Sequence, residues 1–85
     1  MEIVKLRGLR VYIDTMSLSN RSEPVVFYSR RADGPYYRWH YEAESGHWCC
    51  SRVHLPELTL GVLSMTTWRN VPVALRAQLN EHYLE

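Results

Sequence analysis

An 85-residue chain with 46% hydrophobic residues can build one small core, and its ten aromatics set it apart from disordered sequences. A formal net charge of +1 supplies no global field toward nucleic acid or an anionic membrane. One domain over residues 1–83 is expected, with Leu84-Glu85 reading as the cloning scar that often precedes a C-terminal His tag.

Nine arginines stand against a single lysine, Lys5. Arginine is planar, weakly hydrated and stacks on rings, so the bias suits interfaces and anion recognition. Base composition of the coding DNA explains it equally well. The start, Met1-Glu2-Ile3-Val4-Lys5, carries charges where a signal peptide needs an apolar run. The longest uncharged stretch, Leu58 to Trp68, has eleven residues including three Thr and a Ser, too short and polar to cross a bilayer. Cys49 and Cys50 are adjacent and point to opposite faces of a strand, so no disulfide framework is implied. A cytoplasmic protein without membrane association is the expectation.

In chain order, Gly8 separates Ile3–Arg7, a short edge strand or arm, from Leu9–Asp14. In the latter Leu9, Val11 and Ile13 alternate with Arg10, Tyr12 and Asp14, the period of a half-buried strand. Ser17–Glu23 is a polar loop and Pro24 opens the next strand. Three further strands follow, Val25–Arg30, Tyr36–Ala43 and His47–His54. Their charged residues, Arg30, Arg38, Glu42 and Arg52, all sit at even positions. The odd positions carry no Asp, Glu, Lys or Arg, so strand alternation separates a charge-free face from a mixed one.

Two glycine turns, Ala32-Asp33-Gly34 and Glu44-Ser45-Gly46, join these strands. Both suit a three-residue loop, a type I turn closed by Gly in the left-handed region. That length sets odd residues opposite odd ones, Phe27 with Trp39 and Tyr41 with Cys49. A one-residue slip would exchange the faces, so the charge pattern favours this register.

Beyond Leu55-Pro56 the residues Pro56–Trp68 are apolar but rich in Thr and Gly, a short helical turn or irregular cover. From there Asn70 offers a cap, Pro72 a first turn, and Val71, Leu75, Leu79 and Tyr83 form one stripe, giving an amphipathic helix over Val71–Tyr83. The predicted fold class is α+β: a four-stranded antiparallel meander, with Ile3–Arg7 available as an extra N-terminal strand, followed by a C-terminal helix on one face. Leu9, Val11, Ile13, Val25, Phe27, Trp39, Tyr41 and Val53 are the residues expected beneath the helix.

The even face then carries Tyr28, Arg30, Tyr36, Arg38, Trp48 and Arg52, which are the candidate partner-binding residues. In the expected register Arg38 lies opposite Arg52, and like charges paired across a sheet destabilise it unless an anion or partner intervenes. Tyr, Trp and Arg are also enriched at interface hot spots. The same residues suit stacked bases with arginines on phosphates. Against both readings, Leu58, Leu60, Leu63 and Trp68 are available to cover this face, and aromatics are ordinary strand formers.

His40, Cys50 and His54 share the even face and form the weak metal reading, since zinc needs three or four converging ligands. His47 and Cys49 face the other way, and no CxxC occurs. Catalysis has less support, because an inventory of Cys, His and Glu42 lacks an orienting third group and a pocket. Gly8, Gly34, Gly46 and Gly61 form no phosphate loop. No cofactor, metal or catalytic residue is assigned.

No motif assigns the chain to a family. The strand and helix order alone is similar to that of single-stranded-DNA-binding coactivator domains, which dimerise through their helices. Those domains tend to be basic, where this chain is nearly neutral. The expectation is a small non-enzymatic module for protein interaction or homodimerisation through the even face. Single-stranded nucleic-acid binding on that face is the alternative, and a metal-binding protein the third reading.

Overall fold

The computed structural model describes residues 3–18, 25–54 and 63–84. Its strands are β1 (Leu9–Asp14), β2 (Phe27–Arg31), β3 (Tyr36–Glu42), β4 (His47–Val53) and β5 (Leu63–Met65). A single helical turn, α1 (Thr15–Leu18), follows β1, and a 3-10 turn at Trp68–Asn70 leads into α2 (Val73–Tyr83). The sheet is antiparallel with strand order β4-β3-β2-β1-β5. This is the α+β meander with a C-terminal helix that the alternation and the apolar stripe foretell.

The fifth strand comes from Leu63–Met65, which pairs with β1 through Tyr12 and Met65. Residues 3–6 form an arm instead, held where Trp68 Nε1 donates to the Ile3 carbonyl (2.6 Å) and Asn80 Nδ2 to that of Val4 (2.7 Å). The helix begins two residues later than its stripe suggests. Pro72, not Asn70, is the N-cap residue, and Asn70 closes the 3-10 turn.

Leu75 and Leu79 are fully buried and Val71 nearly so, against Leu9, Val11, Phe27, Trp39 and Trp48. Each aliphatic side chain buried this completely contributes about 1.5–3 kcal/mol. A polar tether fixes the last turn of α2 over the centre of the sheet. Buried Ser29 accepts a hydrogen bond from Trp39 Nε1 (2.8 Å) and shares another with the Tyr83 hydroxyl (2.8 Å). Arg31 Nη1 donates to the Tyr83 carbonyl (2.9 Å), one of the helix-end oxygens that needs an external partner.

The first hairpin has the expected register, with Phe27 opposite Trp39 and Tyr28 opposite Arg38. Its turn chemistry differs from expectation. The left-handed residue is Ala32 (φ 52°), while Gly34 donates its N–H to the Arg31 carbonyl at 2.9 Å. The second hairpin is slipped by one residue. Glu42 pairs with His47, so the loop is Ala43–Gly46, closed by Gly46 at φ 73° and its N–H bond to the Glu42 carbonyl.

That slip turns β4 over. Tyr41 faces Trp48 and Trp39 faces Cys50, so the even residues of β4 join the odd residues of β3 on the helix side. Trp48 sinks into the core at 9% exposure, edge-on to Phe27 (5.7 Å) and Tyr41 (5.5 Å). The indole has far more apolar surface to bury than Cys49, which would take its place in the other register. Gln78 of α2 completes the arrangement: its side-chain oxygen accepts the Trp48 N–H (3.1 Å) and its amide donates to the Trp48 carbonyl (2.9 Å). The outer edge of β4 is thus paired by a side chain at that point.

Candidate functional site

The face of the sheet opposite α2 is where the arginines and tyrosines gather. On β1 to β3 it carries the even residues, as the alternation implies. Arg10 lies directly opposite Arg30, Tyr12 opposite Tyr28, and Tyr28 opposite Arg38. Arg10 is exposed, while Tyr12, Tyr28, Arg30, Tyr36 and Arg38 are partly buried.

Arg30 organises the patch. Its Nε donates to the Gly34 carbonyl at 2.9 Å, and its guanidinium carbon sits 4.9 Å from the centre of the Tyr36 ring, with Nη1 3.5 Å from the Tyr36 hydroxyl. Tyr36 in turn lies 6.1 Å from Tyr12, ring centre to ring centre, at a 50° tilt. Cation–π contact and backbone anchoring together hold the Arg30 guanidinium at a fixed place and angle. Among the described residues, neither Arg10, Arg30 nor Arg38 is paired with a carboxylate.

Of the six candidate residues, Tyr28, Arg30, Tyr36 and Arg38 are brought together. Trp48 and Arg52 are not part of this face. The slip in β4 places Trp48 beneath the helix and sets Arg52 opposite Tyr37, while Arg38 faces Ser51. The expected Arg38–Arg52 pair therefore does not exist. A different like-charge pair, Arg10 with Arg30, takes its place. Arg10 and Tyr12 were missing from the candidate set, although the parity of Leu9–Asp14 already put them on the same face as Tyr28.

The proposed cover over this surface is only partly within view. Leu58 and Leu60, with the rest of 55–62, lie outside the described residues, as do residues 19–24 of the polar loop. Leu63–Met65 extends the sheet beside β1 instead of crossing it, and Trp68 packs against the core. Met65, opposite Tyr12, is 65% exposed.

No family model, curated protein or solved structure matches this chain. Function has to be read from the site itself.

The histidines and cysteines do not converge. The slip divides the weak metal set, leaving His40 on the arginine face and Cys50 on the helix side, while His54 follows the end of β4. Among the described residues, no three His, Cys, Asp or Glu side chains are placed to hold a metal. The Cys49 thiol donates to Glu42 Oε2 at 3.2 Å, and that hydrogen bond holds its pKa above the usual thiol value, with desolvation adding to it. Burial likewise pushes the Cys50 thiol up. Both shifts oppose formation of the nucleophilic thiolate. No helix among the described residues is long and apolar enough to cross a membrane.

Proposed function

We propose that this protein is a non-enzymatic module that binds single-stranded nucleic acid on the helix-free face of its sheet. The observation that carries this reading is the array of Tyr12, Tyr28 and Tyr36 interleaved with Arg10, Arg30 and Arg38, none of them neutralised by a carboxylate among the described residues. Unstacked bases need ring surfaces on which to lie, and the phosphates between them need fixed cations. Arg10, Arg30 and Arg38 give this face local positive charge in a chain whose net charge is only +1.

The β4 slip weighs the balance between the two readings of this face. It removes Trp48, the largest apolar anchor a protein partner would have used, while the separate pairing of β1 with β2 supplies a cation and a ring, Arg10 and Tyr12. Protein interaction or self-association retains one supporting feature, the exposed Met65 beside Tyr12.

Fluorescence anisotropy of labelled oligothymidine at increasing salt tests the proposal. Three phosphate contacts give a log–log salt slope of about −2, and Arg10→Ala with Arg38→Ala brings it to about −0.7. Tyr28→Ala costs about 1–3 kcal/mol of binding, the usual worth of one stacked base. Absence of binding at low salt, or binding indifferent to these substitutions, overturns the reading. Intrinsic tryptophan quenching is not expected to report it, because Trp48 lies on the other side of the sheet.

A further inference from the structure

The slipped register moves Arg52 off the tyrosine face, yet Arg52 and Arg30 both line one cleft. This cleft, about 360 Å³, lies where the β2–β3 turn meets the C-terminal end of β4. Arg30, Tyr36, Arg52 and His54 line it, with Asp33 as its one carboxylate among the described residues. We propose that it is a site for a terminal phosphate group, resting on the nucleic-acid reading for its connection to the tyrosine face.

Three features point to this ligand. Two guanidiniums and an imidazole outnumber the single carboxylate, and neither arginine is ion-paired among the described residues. Arg30 is already oriented, since Nε is tied to Gly34, Nη1 reaches the Tyr36 hydroxyl at 3.5 Å and its face is held against the Tyr36 ring, while Nη2 has no protein acceptor among the described residues. A planar fork fixed in advance suits the oxygens of a phosphate and loses little entropy on binding. The third feature is continuity. Tyr36 stands both in the cleft wall and in ring contact with Tyr12, so a base stacked there leaves its terminal phosphate beside Arg30.

The shared chemistry, a phosphate group with at least three unesterified oxygens, has two sources: the 5′-terminal monoester of a bound strand, or free inorganic phosphate. NMR titration of the full chain with inorganic phosphate reads the cleft alone. Saturable shifts at the Arg30 and Arg52 Nε–Hε groups and the His54 ring are expected, and Arg52→Ala should abolish them while leaving the far-ultraviolet circular dichroism unchanged. In the second arm, oligothymidine carrying a 5′-phosphate should bind several-fold tighter than the unphosphorylated strand, an advantage absent in Arg52→Ala. Phosphate shifts without oligonucleotide binding support the cleft as a free-phosphate site and overturn only the nucleic-acid reading. Oligonucleotide binding with no phosphate shifts and no 5′ preference overturns the cleft and leaves the tyrosine face standing. Shifts in wild type that persist undiminished in Arg52→Ala also overturn it.

Discussion

Ala32-Asp33-Gly34 and Glu44-Ser45-Gly46 have the same glycine-terminated design, yet the strands joined by the first pair odd with odd and those joined by the second are offset by one residue. The difference lies in what each hairpin has to bury. In the first, Phe27 faces Trp39 on the helix side, and the opposite register would bring His40 and Glu42 there. In the second, neither set of β4 residues is apolar: His47, Cys49, Ser51 and Val53 compete with Trp48, Cys50, Arg52 and His54. One indole decides the contest. A charge pattern therefore fixes register only where both faces are chemically distinct, and elsewhere a single large side chain outweighs it.

Replacing Trp48 should break the second hairpin most severely. Trp48→Ala is expected to cost about 3–5 kcal/mol, the range for a buried aromatic, whereas Cys49→Ala should leave the denaturation midpoint unchanged. Urea titrations of the two variants decide it, and the reverse ranking would restore the three-residue loop.

The two turns offer a finer contrast. Gly46 adopts φ 73°, and an added Cβ would meet only the Tyr41 hydroxyl at 3.9 Å, so the cost of Gly46→Ala is backbone strain of about 1–2 kcal/mol. In the first turn the left-handed position is held by Ala32 at φ 52°, and Ala32→Gly is expected to stabilise by up to about 1 kcal/mol. Opposite signs in thermal melts would support this assignment, and equal signs would contradict it.

Tyr83 tests the tether over the first hairpin. Burial raises its phenol above the ordinary 10.0, with the Ser29 hydrogen bond acting the other way. The folded state thus keeps this proton at pH values where the unfolded chain has lost it. The resulting stabilisation is present in full below about pH 10 and fades as pH rises through the folded-state value. Tyr83→Phe removes one hydrogen bond, a loss of about 0.5–1.5 kcal/mol at neutral pH, and should flatten the alkaline decline. An unchanged alkaline slope in Tyr83→Phe would assign that decline elsewhere.

Much of this architecture is visible in the bare chain. The strand Leu9–Asp14, the stripe Leu75, Leu79 and Tyr83, and the odd face of β1 to β3 follow from periodicities of two and 3.6. Four of the six candidate site residues follow from the same alternation. Arg10 and Tyr12 were legible too, since the expected meander with Leu9, Val11 and Ile13 beneath the helix puts them on the opposite face with Tyr28. The burial of Trp48 and the pairing of its backbone by Gln78 depend on where a helix 30 residues away comes to rest. So does the Ser29–Tyr83 bond, which spans 54 residues and leaves no local trace.

The most direct test of the account is a residue-resolved NMR titration with unphosphorylated oligothymidine at low salt. Shifts are expected at Tyr12, Tyr28, Arg30, Tyr36 and Arg38, with the Trp48 indole and α2 unmoved. Shifts centred on Trp48 and α2, or none at all, would contradict the claim that the helix-free face is the binding surface.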